Sequence, residues 1–386
     1  RSRSIKSPMT DLLAIKGRLR ESLLTKTASR EVPMANLGQG QRVGILARAG
    51  ILALVEAGEM LLDNYDSLLL DLDGVVYRGG EAVAHAVEAI NKSAEILKIG
   101  YVTNNSSRTP KAIAEQLTGY GLAVSEEQIV GSARAGAKLL RERIAAGSKV
   151  LVVGGEGLKA ECRAVGFEIV SSSAEKPAAV IQGFSPDVSW KDLAQASFAV
   201  QNGAIWIATN QDWTIPLEAG IAPGNGTLVG AVHTAVGILP DFAGKPFRPI
   251  FDQALEQLGI SKPLMIGDRI DTDIRGAQQA GMDSAAVLTG IATKKELIGA
   301  KPEDRPTFIF DDMRGIFEDY PKIKQTRRGV KCGKSQVEKL GNKIVLVSGD
   351  PDSIDTLRAA TQLIWNCGTP IYGLDVEPVL YQGSER

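Results

Sequence analysis

Short apolar runs recur along this chain, each followed by a turn and a longer amphipathic stretch. This alternation limits the fold more than any other feature of the sequence. The runs fall at 67–70, 97–102, 149–153, 178–181, 204–208, 263–266, 284–288 and 307–310. Several are apolar on both alternating faces, as strands covered on both sides must be. The pattern predicts an α/β protein built on a Rossmann-like, largely parallel sheet. In such sheets ligands bind beyond the carboxyl ends of the strands, so the chemistry is sought there.

Composition narrows the function classes. Lys+Arg is 44 against 45 for Asp+Glu, a formal net charge of −1. That balance argues against a nucleic-acid partner, which needs a net basic surface. Hydrophobic residues make up 44% and charged residues 23%, enough for a sizeable core and against wholesale disorder. Cys162, Cys332 and Cys367 are too few for a disulfide scaffold and too far apart for a local zinc motif. They point to a reducing, cytoplasmic setting. His85 and His233 are the only histidines, which excludes a His-rich metal site. Basic residues outnumber acidic ones over 1–31. That start reads as a helical extension, with an organellar transit peptide as the alternative. The apolar stretch 43–62 carries Arg48, Glu56 and Glu59, so it predicts a helix packed on the body or on a second subunit, and no membrane span.

Four strand ends are unusual. The first reads Asp71-Leu72-Asp73-Gly74-Val75-Val76-Tyr77. Side chains at i and i+2 of an extended segment point to one side, and two crowded carboxylates repel unless a cation relieves them. The plain alternative is a strand-ending turn. The second reads Thr103-Asn104-Asn105-Ser106-Ser107-Arg108-Thr109-Pro110. A hydroxyl, two amides and successive backbone N–H groups before a helix suit an oxyanion, although an ordinary N-cap would look the same. The third is Gly244-Lys245-Pro246, opening a helical stretch at Arg248. A lysine there can hold a phosphate and a carboxylate together, or be solvated. The fourth is Gly267-Asp268-Arg269-Ile270-Asp271-Thr272-Asp273. Its acids suit either a hard cation or a helix N-terminus.

Their order and placement resemble the four motifs of the haloacid dehalogenase superfamily. The resemblance implies that Asp71 is the nucleophile, forming an aspartyl-phosphate. It makes Asp73 the acid that protonates the leaving group and then the base that deprotonates water. It assigns phosphate binding to Thr103, Asn104 and Asn105, and transition-state charge neutralisation to Lys245. It places Mg²⁺ on Asp71, the Asp73 carbonyl and Asp268, with Asp273 orienting that shell. An acid at Asp73 separates the family's phosphatases from its dehalogenases, so the implied reaction is phosphoryl transfer to water.

The interval from Asp73 to Thr103 is too short for an inserted domain, whereas that from Thr103 to Lys245 exceeds any normal connection. It predicts a lid inserted in the core, the superfamily's type-two cap. With the motif sequences this resembles the NagD/p-nitrophenylphosphatase-like branch, in which cap-to-cap homodimers occur. The cap loop offers Asp212, Trp213 and Thr214 for contact with the leaving group; Asp212 capping a turn and Trp213 merely packing is the alternative. The expected organisation is an extension at 1–64, core at 65–147, cap at 148–238, core again at 239–320, a basic linker at 321–341 and a small α/β module at 342–386. In the module, a helix carries Ile354, Leu357, Thr361 and Ile364 on one face, and a strand lies near 370–374. The layout of core plus tail resembles that of actinobacterial glycerol-3-phosphate phosphatases. The expected activity is therefore Mg²⁺-dependent hydrolysis of a small phosphorylated metabolite, with glycerol 3-phosphate foremost. The alternatives are a broad aryl-, sugar- or phosphoglycolate phosphatase, and a catalytically silent binding protein on the same fold.

Overall fold

The computed structural model describes residues 61–217 and 219–382. Most of the N-terminal extension, including nearly all of the apolar stretch 43–62, lies outside the described residues. What is described begins with a short helical turn, Leu61–Asn64, whose leucines are buried in the core.

The core is a six-stranded sheet. Its order is Phe308–Phe310, Asp283–Val287, Pro263–Gly267, Ser67–Leu70, Lys98–Thr103 and Ile129–Gly131, every neighbour parallel. Leu68, Leu69 and Leu70 are fully buried because the central strand is covered on both faces. The order reverses on either side of Ser67–Leu70, and its carboxyl end is the switch point where such sheets leave a crevice. Helix Pro110–Gly119 starts with proline in its first turn, and Thr109 Oγ1 accepts the Ala112 N–H.

The inserted segment forms a second parallel sheet, ordered Asp241–Phe242, Ile205–Ala208, Ala179–Gln182, Lys149–Val153 and Glu168–Val170. Its last strand lies past residue 238, so the chain returns to the core a few residues later than its spacing predicts. The two sheets share a hydrophobic cluster: Leu69, Val102 and Val130 of the core meet Val150, Ile181 and Ile207 of the lid. Helix Ser132–Arg143 runs between them, presenting Ala133, Ala135 and Ala137 so that both layers approach closely.

The basic stretch is not a linker. Lys324–Gln325, Gly329–Cys332, Ser335–Leu340 and Lys343–Ser348 form an antiparallel sheet, with Asp375–Val376 added in parallel at its edge. Val330, Cys332 and Val337 are buried against helix Ile354–Asn366, while Lys324 and Lys331 face solvent. The period-two apolar pattern of a half-buried strand was hidden beneath its cationic alternate positions. Likewise the strand expected near 370–374 is a helical turn, Ile371–Gly373, and the strand follows it. No helix among the described residues is long and apolar enough to cross a membrane.

Candidate active site

All four motifs meet at the carboxyl end of the central strand. The Asp71 N–H donates to the Ile266 carbonyl (2.9 Å), continuing the ladder one residue beyond Ser67–Leu70. Lys245 comes from the far end of the inserted segment. Its Nζ donates to Asp71 Oδ1 (2.6 Å) and to the Val102 carbonyl (3.0 Å), and lies 2.7 Å from Asp273 Oδ1. The lysine is buried, which by itself would lower its pKa. The carboxylates of Asp273 and Asp71 outweigh that and raise it, so the ammonium stays charged.

Asp268 is held close to the chain turns around it. Side chains at Gly74 or Gly290 would collide with its carboxyl, and Gly74 also has φ +82°, which suits glycine. Asp268 Oδ2 accepts the Ile291 N–H (2.7 Å), but Oδ1 is buried without a hydrogen-bond partner among the described residues. Asp273 Oδ2 accepts the Arg269 N–H (3.1 Å). Oxygen atoms of Asp71, Asp268 and Asp273 all lie within 4.8 Å of one another. Burial, then the charges of Asp71 and Asp273, push the Asp268 carboxyl up to about 8. Burial raises Asp273 as well, against the opposing charge of Lys245. A hard divalent cation fits this set: the donors are carboxylate oxygens, one is unpartnered, and the acids repel without it. Mg²⁺ suits such a set; Asp71 and Asp268 would hold it, with Asp273 beside them engaging Lys245.

Asp73 stands on the open side. Part of its surface reaches solvent, yet the surrounding protein and the charge of Asp71 raise its carboxyl to about 6. Its Oδ2 accepts the Tyr77 hydroxyl at 3.4 Å. This suits a group that must hold a proton near neutrality and then release it.

The Thr103–Arg108 loop sits opposite. Thr103 is buried, and its Oγ1 accepts the Asn105 N–H (3.1 Å). Asn105 Oδ1 accepts the N–H groups of Ser107 and Arg108 (3.0 and 3.2 Å). The Asn104 amide is committed to the lid and its return: Oδ1 accepts the Lys245 N–H (2.8 Å), while Nδ2 donates to the Lys245 carbonyl and to Asp212 Oδ1 (3.1 Å each). Of the three cap-loop residues, Asp212 thus reaches the core. Trp213 is 60% exposed, and Thr214 lies exposed in the hairpin Thr214–Leu217/Gly220–Pro223. Sequence reading missed Ser132 and Asn210, whose side chains both donate to the Asn104 carbonyl (2.7 and 2.8 Å). Nothing in the local sequence marks Ser132, and Asn210, though it opens the cap loop, could not be paired with a partner so distant along the chain.

A family model for haloacid dehalogenase-like hydrolases matches residues 68–168, and a second, HAD-hydrolase-like model matches 242–316. D-glycerol 3-phosphate phosphatase of Mycobacterium tuberculosis is 40% identical over 259 residues, 67% of this chain and 73% of the relative. The chain belongs to the haloacid dehalogenase family. It falls on the phosphatase branch of that family. An acid sugar phosphatase of Staphylococcus saprophyticus is 35% identical over 264 residues, covering 68% of this chain and all of that protein. Among solved structures, a magnesium complex of glycerol phosphate phosphatase from M. tuberculosis is similar with TM-score 0.75 and 35% identity, over 83% of this chain and 94% of that one. A thermostable NPPase from Geobacillus stearothermophilus follows with TM-score 0.60 and 33% identity, over 65% and 97%. The first of these structures extends the likeness beyond the core and lid.

Proposed function

We propose that this haloacid dehalogenase-family enzyme is a Mg²⁺-dependent phosphatase of small phosphorylated metabolites, with glycerol 3-phosphate its foremost substrate. The observation that carries the reading is Lys245 Nζ, set between Asp71 and Asp273 beside the unpartnered oxygen of Asp268. An anionic phosphate cannot approach three carboxylates unless positive charge is already there. The relatives named for glycerol phosphate support the substrate, and Asp212 at the lid's contact with Asn104 can hydrogen-bond a small polyol.

In this mechanism Asp71, the Asp73 carbonyl and Asp268 would hold Mg²⁺, with Asp273 orienting that shell, and the ion would supply positive charge against the phosphate oxygens. An Asp71 carboxylate oxygen attacks phosphorus. The ester P–O bond breaks, and its electron pair leaves with the alcohol oxygen, which takes the proton of Asp73. Lys245, charged and immobile, holds Asp71 in line and offsets the charge of the transferring group. Asp73, now a carboxylate, takes a proton from water. The water oxygen attacks phosphorus, and inorganic phosphate leaves with Asp71 restored.

The same proposal places the enzyme in a reducing cytoplasm, as a homodimer. Free thiols at Cys162, Cys332 and Cys367 support the first. Trp190 (80% exposed) and Phe198, large apolar groups on one lid helix, support the second.

Phosphate release tests the reading, from glycerol 3-phosphate, phosphoglycolate, pyridoxal phosphate, p-nitrophenyl phosphate and sugar phosphates, with Mg²⁺ or EDTA. Wild type should turn over glycerol 3-phosphate fastest. Asp71→Asn should lower kcat by at least about 10³-fold. No release from any compound, with Mg²⁺ binding demonstrated by calorimetry, overturns the phosphatase reading. A sugar phosphate preferred over glycerol 3-phosphate overturns the substrate alone.

A further inference from the structure

We propose that Tyr77 is a positioning residue for the acid–base carboxylate: its hydroxyl holds Asp73 Oδ2, so that Oδ1 is the oxygen that gives up and regains the proton. The inference rests on the phosphatase reading and deepens it.

Tyr77 is buried, with its ring against Tyr120 at 5.9 Å between centroids and 38° between planes. A buried tyrosine hydroxyl needs a hydrogen-bond partner, and here it finds Asp73 Oδ2 at 3.4 Å. That distance is at the long end for an O–H···O contact, and the bond strengthens when Asp73 carries its negative charge. The backbone fixes both ends of the contact. The Gly74 N–H donates to the Tyr77 carbonyl (2.7 Å), and the Tyr77 N–H donates to the Leu72 carbonyl (3.1 Å). Asp73 and Tyr77 are also paired as an isolated bridge. One tight loop therefore carries the acid and the hydroxyl that steers it.

The ring that backs Tyr77 is itself secured. Gln116 Nε2 donates to the Tyr120 hydroxyl (2.9 Å), and Arg108 Nη1 donates to Gln116 Oε1. Arg108 Nη2 also donates to the Ala112 carbonyl (2.8 Å). The chain of contacts begins in the Thr103–Arg108 loop and ends on Asp73. By contrast, the Asp73 side chain has an open flank toward solvent, so without Tyr77 it would sample other rotamers.

The chemistry says when this matters. An alkyl phosphate departs as a strongly basic alkoxide, which must be protonated as the P–O bond breaks. A nitrophenolate departs unaided. During transfer the Asp71–phosphorus bond forms, the ester bond breaks, and the leaving oxygen takes the proton from Asp73 Oδ1. Tyr77 keeps its own proton, and its hydrogen bond strengthens as Asp73 becomes a carboxylate. Placement of the proton thus affects alkyl esters and leaves aryl esters alone.

The test is Tyr77→Phe in the full chain with Mg²⁺, read as kcat/KM, which covers only the steps up to departure of the alcohol. For glycerol 3-phosphate it should fall about tenfold, the loss of one hydrogen bond to a charged group. For p-nitrophenyl phosphate it should stay within about twofold. Tyr120→Phe, which keeps the ring contact, should leave the ratio of the two substrates unchanged. Equal losses on both substrates, or no loss on either, overturn the positioning of Asp73 by Tyr77 and leave the phosphatase reading intact. Wild type silent on these two and on every other compound of the panel, with Mg²⁺ bound, overturns that reading instead.

Discussion

Asp268 is where the site's electrostatics are most exposed to experiment. One of its oxygens has no partner among the described residues, and its carboxyl is pushed up to about 8 by burial and by two neighbouring acids. In the unfolded chain the same group titrates near about 4. Between those values the folded protein binds more protons than the unfolded one, so metal-free stability falls as pH rises from about 4 to about 8. Below that range the contribution is fully present, and above it the contribution is gone. Asp268→Asn removes this titration. In EDTA, the thermal midpoint of Asp268→Asn relative to wild type should therefore climb from pH 5 to pH 8. Mg²⁺ should flatten the dependence in wild type and not in the variant. A difference between the two proteins that is constant with pH would contradict the buried, unpartnered state of this carboxyl.

The Thr103–Arg108 loop joins the lid to the nucleophile. Its Asn104 amide makes three hydrogen bonds, two to the Lys245 backbone and one to Asp212. Glycines of the lid complete the joint: a Cβ at Gly157 or Gly183 would collide with Ser107, Arg108 or Ser106. Asn104→Ala leaves buried partners unsatisfied and should destabilise the protein by about 1–3 kcal/mol. It should also lower kcat through a displaced Lys245, measured by urea titration and steady-state kinetics on one preparation. Unchanged kcat with lowered stability would mean that the contacts of Lys245 Nζ with Asp71, Asp273 and the Val102 carbonyl suffice to hold it. This loop also shows what was legible in the sequence. The acids of motifs one and four could be placed because a parallel sheet brings strand carboxyl ends together, whatever lies between them in the chain. Lys245 could be placed only because Gly244-Lys245-Pro246, opening a helical stretch, resembles the superfamily's third motif. The Asn104 side chain could not: the same amide reads as an oxyanion donor or as a strut, and the choice depends on Asp212 and Lys245, more than a hundred residues away. The strands at 324–340 were missed for a different reason, since lysines and arginines at the solvent-facing positions outweigh Val330, Cys332 and Val337 in any average over the segment.

At the scale of the whole molecule, the C-terminal module is part of the core's own packing. Ile274, Ala286, Leu297, Ile298 and Ile309 of the core share one cluster with Val330, Val337, Ile344, Leu357 and Leu363 of the module. The joint is polar as well as apolar. Arg358, 4% exposed, donates from Nε and Nη2 to the Ile309 carbonyl (2.9 and 2.7 Å) and lies over the Tyr320 ring at 4.3 Å. Phe308–Phe310 is the edge strand of the catalytic sheet, so this guanidinium binds the module to the same sheet that carries Asp71. Trp365 Nε1 donates to the Leu297 carbonyl (3.0 Å), and Arg305 Nη1 returns a bond to the Trp365 carbonyl (3.2 Å). A module docked through a shared core and buried charge-assisted hydrogen bonds should melt with the sheet it is joined to. Calorimetry should therefore show core and module unfolding in one transition, with activity lost along the same curve. Arg358→Ala leaves the Ile309 carbonyl without its donors and opens a cavity beside Tyr320. In a molecule of this size its thermal midpoint should drop by about 5 °C, still in a single transition. An early transition in the variant, with phosphate release surviving it, would mean instead that the module folds as a separate unit and that the catalytic sheet does not depend on it.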